Sequence, residues 1–292
     1  MAESNKIRID VWTEHFLGTK TKCEELLGLV ERMDGAQWLP ERWSNCEPVR
    51  SIFGQDAYPL ICSEWTQERG GRVSNEMFFR KKKPFGEIWV STWRGRVPSL
   101  NRVSLSLDAK AFATGDGVKR LEAIVLSFID WSQAIYATAW HTKQAHCRVA
   151  QMTPLKRLER LDWLTFFGRP YLELFGGEAR VLSVPWFSAQ QVFGGALLTA
   201  AACPDSPQMV ESDQTLLDLE QYLGDDAFAR DFYLQETCRV PSFDLSETTT
   251  GQSEVAKEND PRFLEPIFIS DPKTNEPLAV AVLTPPDHPP ES

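Results

Sequence analysis

The sequence predicts an α+β fold, an antiparallel sheet covered on one face by helices, with a C-terminal β-hairpin after a polar linker. Three observations carry this. Strand-like segments at 75–81, 87–93 and 102–107 follow one another across short gaps, which favours a meander over parallel crossovers. Two long amphipathic stretches, 19–33 and 117–131, have the spacing of helices with one apolar face. Strands and helices rarely alternate in the way a parallel sheet requires.

Taken in order, Ile7, Ile9 and Val11 alternate with Arg8 and Asp10, the period of a strand with one buried face. Cys23, Leu26, Leu27, Val30 and Met33 then fall at helical spacing, and Gly35 supplies a stop. Residues 36–60, rich in Trp, Pro and Arg, read as a long ordered loop. In the second meander strand Ile88, Val90 and Thr92 point one way while Trp89, Ser91 and Trp93 point the other. In the third, Val103, Leu105 and Leu107 alternate with Ser104 and Ser106.

The helix at 117–131 carries Val118, Leu121, Ile124, Val125, Phe128 and Trp131 as a wide apolar stripe. Residues 136–140 read as a strand, 154–161 as a basic amphipathic stretch, and 162–175 as an aromatic-dense segment closing on Gly176-Gly177. Residues 191–203 read as a buried strand bulged at Gly194-Gly195. Ser212 or Asp213 caps a further helix bearing Leu216, Leu217, Leu219 and Leu223 and ending at Gly224. The domain reading is therefore an α+β domain over 1–240, a polar linker over 241–263, and a hairpin and tail over 264–292.

A chain of 292 residues can bury roughly three-quarters of its unfolded surface, so it needs neither disulfides nor metal to fold. Its 10 Trp and 17 Phe supply most of the bulky core candidates. Net charge is −10, unevenly spread: 205–292 holds 19 acidic and 5 basic residues, while 1–204 holds 22 acidic and 26 basic. The N-terminus lacks a secretory pattern and no apolar run approaches bilayer length, so the expected location is the cytoplasm, with no membrane partner. The six cysteines are scattered, which predicts reduced thiols and no zinc motif.

No catalytic set stands out. The Gly115-Asp116-Gly117 turn opens a helix without a dinucleotide fingerprint. His141, His146 and Cys147 are close in sequence, but on a strand neighbouring residues point apart. The acid pairs Glu24-Glu25 and Asp225-Asp226 read as solvated faces. Arg80-Lys81-Lys82-Lys83 reads as a charged turn, and the overall acidity argues against nucleic acid as a partner. The sequence thus predicts a protein with no cofactor, no metal and no enzymatic activity.

The most distinctive segment is Leu161-Asp162-Trp163-Leu164-Thr165-Phe166-Phe167-Gly168, continuing through Arg169 to Gly177. It resembles a segment of bacterial toxin-immunity proteins, those of the immunity protein 52 family and related type VI secretion immunity families. The likeness continues through Val192-Phe193-Gly194-Gly195-Ala196 and covers roughly residues 5–225; the chain beyond 240 is not part of it. The resemblance implies a protein that binds a cognate toxin or effector and neutralises it in the producing cell.

Trp163, Phe166 and Phe167 are expected in the core. An acidic inhibitor would be steered to the basic cleft of a nucleic-acid-cutting toxin, which makes Asp213, Asp218, Glu220, Asp225 and Asp226 the candidate contacts. Two alternatives stay open: a cytoplasmic enzyme of unrecognised type built around His141, His146 or Cys147, and an aromatic-rich binding or scaffold module using Trp38, Trp43 and Trp65.

Overall fold

The computed structural model describes residues 5–68, 72–113, 116–143, 158, 160–228 and 239–250. The elements are β1 (Lys6–Thr13), α1 (Lys20–Arg32), β2 (Arg42–Ser44), β3 (Ser51–Ile52), α2 (Tyr58–Trp65), β4 (Val73–Lys81), β5 (Gly86–Arg94) and β6 (Asn101–Asp108). Then follow α3 (Gly117–Ser132), β7 (Tyr136–His141), β8 (Leu164–Phe167), α4 (Arg169–Leu174), α5 (Glu178–Ser183), β9 (Ser188–Val192), β10 (Gly195–Thr199), α6 (Pro207–Val210) and α7 (Gln214–Leu223). The strands join into one ten-stranded sheet of order β3-β2-β4-β5-β6-β1-β7-β8-β10-β9, with every neighbouring pair antiparallel. Among the described residues no helix is long and apolar enough to cross a membrane.

β1 lies at the centre because it is apolar enough to be covered along its length. Ile7, Ile9 and Val11 are at most 1% exposed and stand opposite Leu107, Leu105 and Val103 of β6. Since β6 and β7 are both antiparallel to β1, they run parallel to each other, and α3 joins them across it in a split β-α-β unit. α1, α2 and α3 cover this face, and the expected meander is formed by β4, β5 and β6. The Thr19 side chain caps α1 by accepting from the Lys22 N–H, and Gln133 ends α3 in the left-handed region at φ 52°. At the β8 end α4 adds cover on the second face, where Tyr171 stacks on Tyr136 and Phe167.

Two local expectations are corrected. The span 36–60 is not simply loop: it holds β2, β3 and the start of α2. β2 and β3 are too short to show alternation, and α2 begins with a proline that fits the first helical turn. The glycines at 194–195 mark a hairpin and not a bulge. Phe193 (φ 50°) and Gly194 (φ 71°) form a two-residue turn of the primed kind between β9 and β10.

Residues 243–250 cross the strand ends, from Tyr171 past the end of β1 to the end of β5. Gly95 donates to the Thr248 carbonyl at 3.0 Å, and the Thr250 N–H returns to the Gly95 carbonyl at 2.9 Å. Glu247 accepts from the Phe16 N–H at 3.0 Å and faces His15 Nδ1 at 3.1 Å, while Phe243 packs on Tyr171. The C-terminal hairpin expected at 264–292 lies outside the described residues.

Candidate partner-binding face

Strand alternation divides the sheet into the face under α1–α3 and a second face carrying the other residue set. On that second face, register sets Ser91, Arg102, Trp12, Tyr136 and Phe167 side by side across five strands. The adjacent row runs Phe78, Trp89, Ser104, Asp10, Thr138 and Thr165. The two rows interlock as alternating rings and one guanidinium. Phe78 stacks on Trp89 at 6.4 Å, the Arg102 guanidinium lies 5.1 Å from the Trp89 ring and 5.0 Å from the Trp12 ring, and Trp12 meets Tyr136 at 5.3 Å.

Asp10 fixes this arrangement. Its Oδ1 accepts from Arg102 Nη2 at 2.7 Å, from Arg102 Nε at 3.2 Å, and from the Ser104 hydroxyl. Asp10 is only 5% exposed, whereas the Arg102 side chain is 28% exposed and its Nη1 has no hydrogen-bond partner among the described residues. A buried carboxylate therefore holds a partly exposed guanidinium between two indoles. Cation–π contacts of this kind contribute about 0.5–2 kcal/mol each, depending on desolvation.

The same face carries orphaned polar groups. Trp89 Nε1, Ser106 Oγ and Thr138 Oγ1 are buried and find no hydrogen-bond partner among the described residues. Trp89 is opposite Ser104, Thr138 is opposite Asp10, and Ser106 is two residues from Ser104, so all three border the Asp10 cluster. Each such group costs about 1–3 kcal/mol relative to its hydrated state, which concentrates unmet polarity at one place on the sheet.

The sequence-predicted contacts are arranged otherwise. Glu220 is 0% exposed, accepts from the Leu161 N–H at 2.9 Å and lies 3.7 Å from Arg160, so it is a carboxylate of the interior and cannot meet a partner. Asp213 accepts from Arg160 Nη1 at 2.9 Å. Asp218 is exposed and accepts from Gln214 Nε2 at 2.7 Å; Asp226 is exposed and pairs with Arg239 at 3.1 Å. Asp225 opens the short 3-10 turn after α7. Much of this acidity thus pins α7 and the following turn to the domain. The warning was in the spacing, since Glu220 falls on the same helical stripe as Leu216, Leu219 and Leu223.

The other candidates also resolve. His141 is 2% exposed, with Nε2 2.9 Å from Asn5 Oδ1 and Nδ1 accepting from the Lys143 N–H at 3.0 Å. Burial, with Lys143 nearby, holds its pKa below the ordinary value. His146 and Cys147 lie outside the described residues. Trp38, Trp43 and Trp65 are 2%, 4% and 0% exposed, so the scaffold reading loses the rings it needs. Trp163, Phe166 and Phe167 are core, as expected, with Trp163 Nε1 donating to the Ala201 carbonyl at 2.9 Å. Among the described residues no group of three His, Cys, Asp or Glu is placed to hold a metal ion.

No protein-family model and no curated protein matches the sequence. Among solved structures, the chain is similar to the Pseudomonas aeruginosa T6SS protein PA0821, with a TM-score of 0.53 and 13% identity over 75% of this chain and 76% of that one. At that identity the likeness is one of fold.

Proposed function

We propose that this protein is an immunity protein of a type VI secretion or polymorphic toxin system, acting in the cytoplasm of the producing cell. It binds a cognate effector through the aromatic–arginine face of β4, β5, β6 and β1 and neutralises it by direct occlusion, without turnover. The observation that carries this reading is the Arg102 guanidinium, partly exposed and held between Trp12 and Trp89 by buried Asp10. Trp, Tyr and Arg dominate the energetic centres of protein interfaces, and a guanidinium already ordered loses little further entropy on binding. The resemblance of residues 161–177 and 192–196 to immunity proteins supports it. So does a fold shared with a T6SS protein. A net charge of −10 favours encounter with a basic effector.

The test is rescue and capture. The open reading frame adjacent to this gene is expressed in a naive cell with and without this chain, and the complex is recovered by pull-down. Restored growth through a stable complex is expected, with Arg102→Gln, which keeps a donor for Asp10, and Trp89→Ala each weakening binding by roughly 30-fold or more in variants whose melting curves show them folded. A neighbour that is toxic but is neither bound nor relieved by the wild-type chain would end the immunity reading. Full rescue by Arg102→Gln would move the contact off this face.

A further inference from the structure

α1 and α2 meet through two sulfurs. Cys23 on α1 is fully buried, Cys62 on α2 is 7% exposed, and their Sγ atoms lie 3.1 Å apart. Both are free thiols. Cys23 shares its helical stripe with Leu26, Leu27 and Val30, and Cys62 stands beside Ile61 and one turn from Trp65. The packing of both helices therefore holds the sulfurs in place. A disulfide has an S–S bond of about 2.05 Å, so the pair has only about 1 Å left to close.

The two thiols are not equivalent. A groove of about 440 Å³ runs between α1 and α2, with Cys62 in its wall beside Lys20, Glu24, Leu27, Tyr58 and Thr66. Cys23 lies behind Cys62 and takes no part in that wall. Burial, then the hydrogen bond to Cys62 and its charge, push the Cys23 thiol up, so Cys23 keeps its proton. One sulfur is thus open to a small reagent, and the other is held against it in reserve.

We propose that Cys62 and Cys23 form a peroxide-responsive dithiol site: a small hydroperoxide entering the groove oxidises Cys62, and Cys23 resolves the product to a disulfide joining α1 to α2. In the first step the Cys62 thiolate attacks one oxygen of the hydroperoxide. The S–O bond forms and the O–O bond breaks. The departing oxygen takes up the proton that Cys62 released and leaves as an alcohol, or as water when the oxidant is hydrogen peroxide. Cys62 is then a sulfenic acid. In the second step Cys23 Sγ attacks Cys62 Sγ from 3.1 Å, a near-attack distance. The S–S bond forms, the S–O bond breaks, and hydroxide leaves with the Cys23 proton as water. The two thiols together lose two electrons and two protons, and the hydroperoxide accepts them. The Cys62 charge that helps keep Cys23 protonated is gone once Cys62 is a sulfenic acid. Resolution from so near outruns a second oxidation, so Cys62 stops short of the irreversible sulfinic acid. Hydrogen peroxide has two heavy atoms, which suits the narrow exposure of Cys62 better than a bulkier alkylating reagent does. The site stands apart from the effector reading, since α1 and α2 cover the sheet face opposite Arg102.

The test treats the folded, reduced full chain with hydrogen peroxide, quenches with catalase, then unfolds and alkylates it for peptide mass mapping. The expected product is an intramolecular Cys23–Cys62 disulfide that dithiothreitol reverses. Exposed Cys46, whose sulfur lies 3.8 Å from the Ser44 hydroxyl, is oxidised without joining either of them and serves as the internal control. Cys23→Ala removes the resolving thiol, so Cys62 accumulates as a sulfenic acid that dimedone traps on unfolding. Cys62→Ala leaves Cys23 a thiol. The wild-type mapping decides the question even where a variant fails to fold. Recovery of Cys23 and Cys62 as thiols after Cys46 is fully oxidised overturns the inference. So does Cys62 recovered as sulfinic acid with no bridge, or a bridge seen only when peroxide is added in urea.

Discussion

The Glu220 carboxylate accepts a hydrogen bond from the Leu161 backbone N–H at 2.9 Å, with both residues fully buried. This one contact ties α7 to the chain entering β8, and Arg160, 3.7 Å away, balances the buried charge. A buried donor left without its acceptor costs more than the bond contributes when made. Glu220→Ala is expected to lower stability by about 2–4 kcal/mol in urea unfolding. Glu220→Gln retains an acceptor oxygen and should fall between that variant and wild type. Equal stabilities for wild type and Glu220→Ala would show that α7 is held by its leucines alone.

Asp10 and Arg102 should behave as a coupled unit. Asp10→Ala leaves a guanidinium and the Ser104 hydroxyl without their shared acceptor and is expected to cost about 2–3 kcal/mol. The double variant with Arg102→Ala removes both charges and should cost less than the sum of the singles, with a coupling of about 1–3 kcal/mol. Additive losses would mean that the ion pair contributes little and that stacking on Trp12 and Trp89 alone orders the arginine.

His141 gives a signed pH dependence. Its folded-state pKa is depressed by burial, so between that value and the ordinary 6.5 the unfolded chain binds the extra proton. Its contribution is therefore complete above pH 6.5 and declines as pH falls toward the folded value. The accepting Nδ1 at the Lys143 N–H shows why: protonation would set a donor against a donor. Melting curves of wild type and His141→Gln should diverge below that pH, with wild type falling more steeply. Parallel curves would remove His141 as the source.

Cys23 and Cys62 are 39 residues apart in sequence, yet their sulfurs lie 3.1 Å from each other between α1 and α2. Burial and the neighbouring thiol push the Cys23 pKa up, so little thiolate forms. Site-resolved alkylation of the native protein should, among the described cysteines, label exposed Cys46 first and leave Cys23 and Cys62 unmodified until the chain is unfolded. Early labelling of either would show that the α1–α2 contact opens readily.

The parts of this fold that were legible in the sequence are those whose apolar residues recur at the period of a strand or a helix. Ile7-Ile9-Val11, Val103-Leu105-Leu107 and the α3 stripe each announce a buried face, and each is found there. β9 is invisible to the same reading because Ser-Ala-Gln-Gln-Val is exposed along its length and has nothing to alternate. The candidate site fares differently. Trp89 and Ser91 were already placed on the face opposite Ile88, but that Arg102 and Trp12 complete the stack depends on β1 pairing with β6 across some ninety residues. Within the acidic group Glu220 alone is shown to be interior, as its helical spacing from Leu216 and Leu223 already indicates.

The central place of β1 also sets the order of events while the chain is being made. Its residues leave the ribosome well before those of either partner, so one edge waits for Asn101–Asp108 and the other for Tyr136–His141. At about 5–20 residues per second the first partner arrives roughly 4–18 s later. For that interval an Ile-Ile-Val strand stands with both edges unpaired. The nascent chain therefore presents a natural hold point for a chaperone at β1, and premature termination anywhere before β6 leaves a fragment in which this strand has no partner.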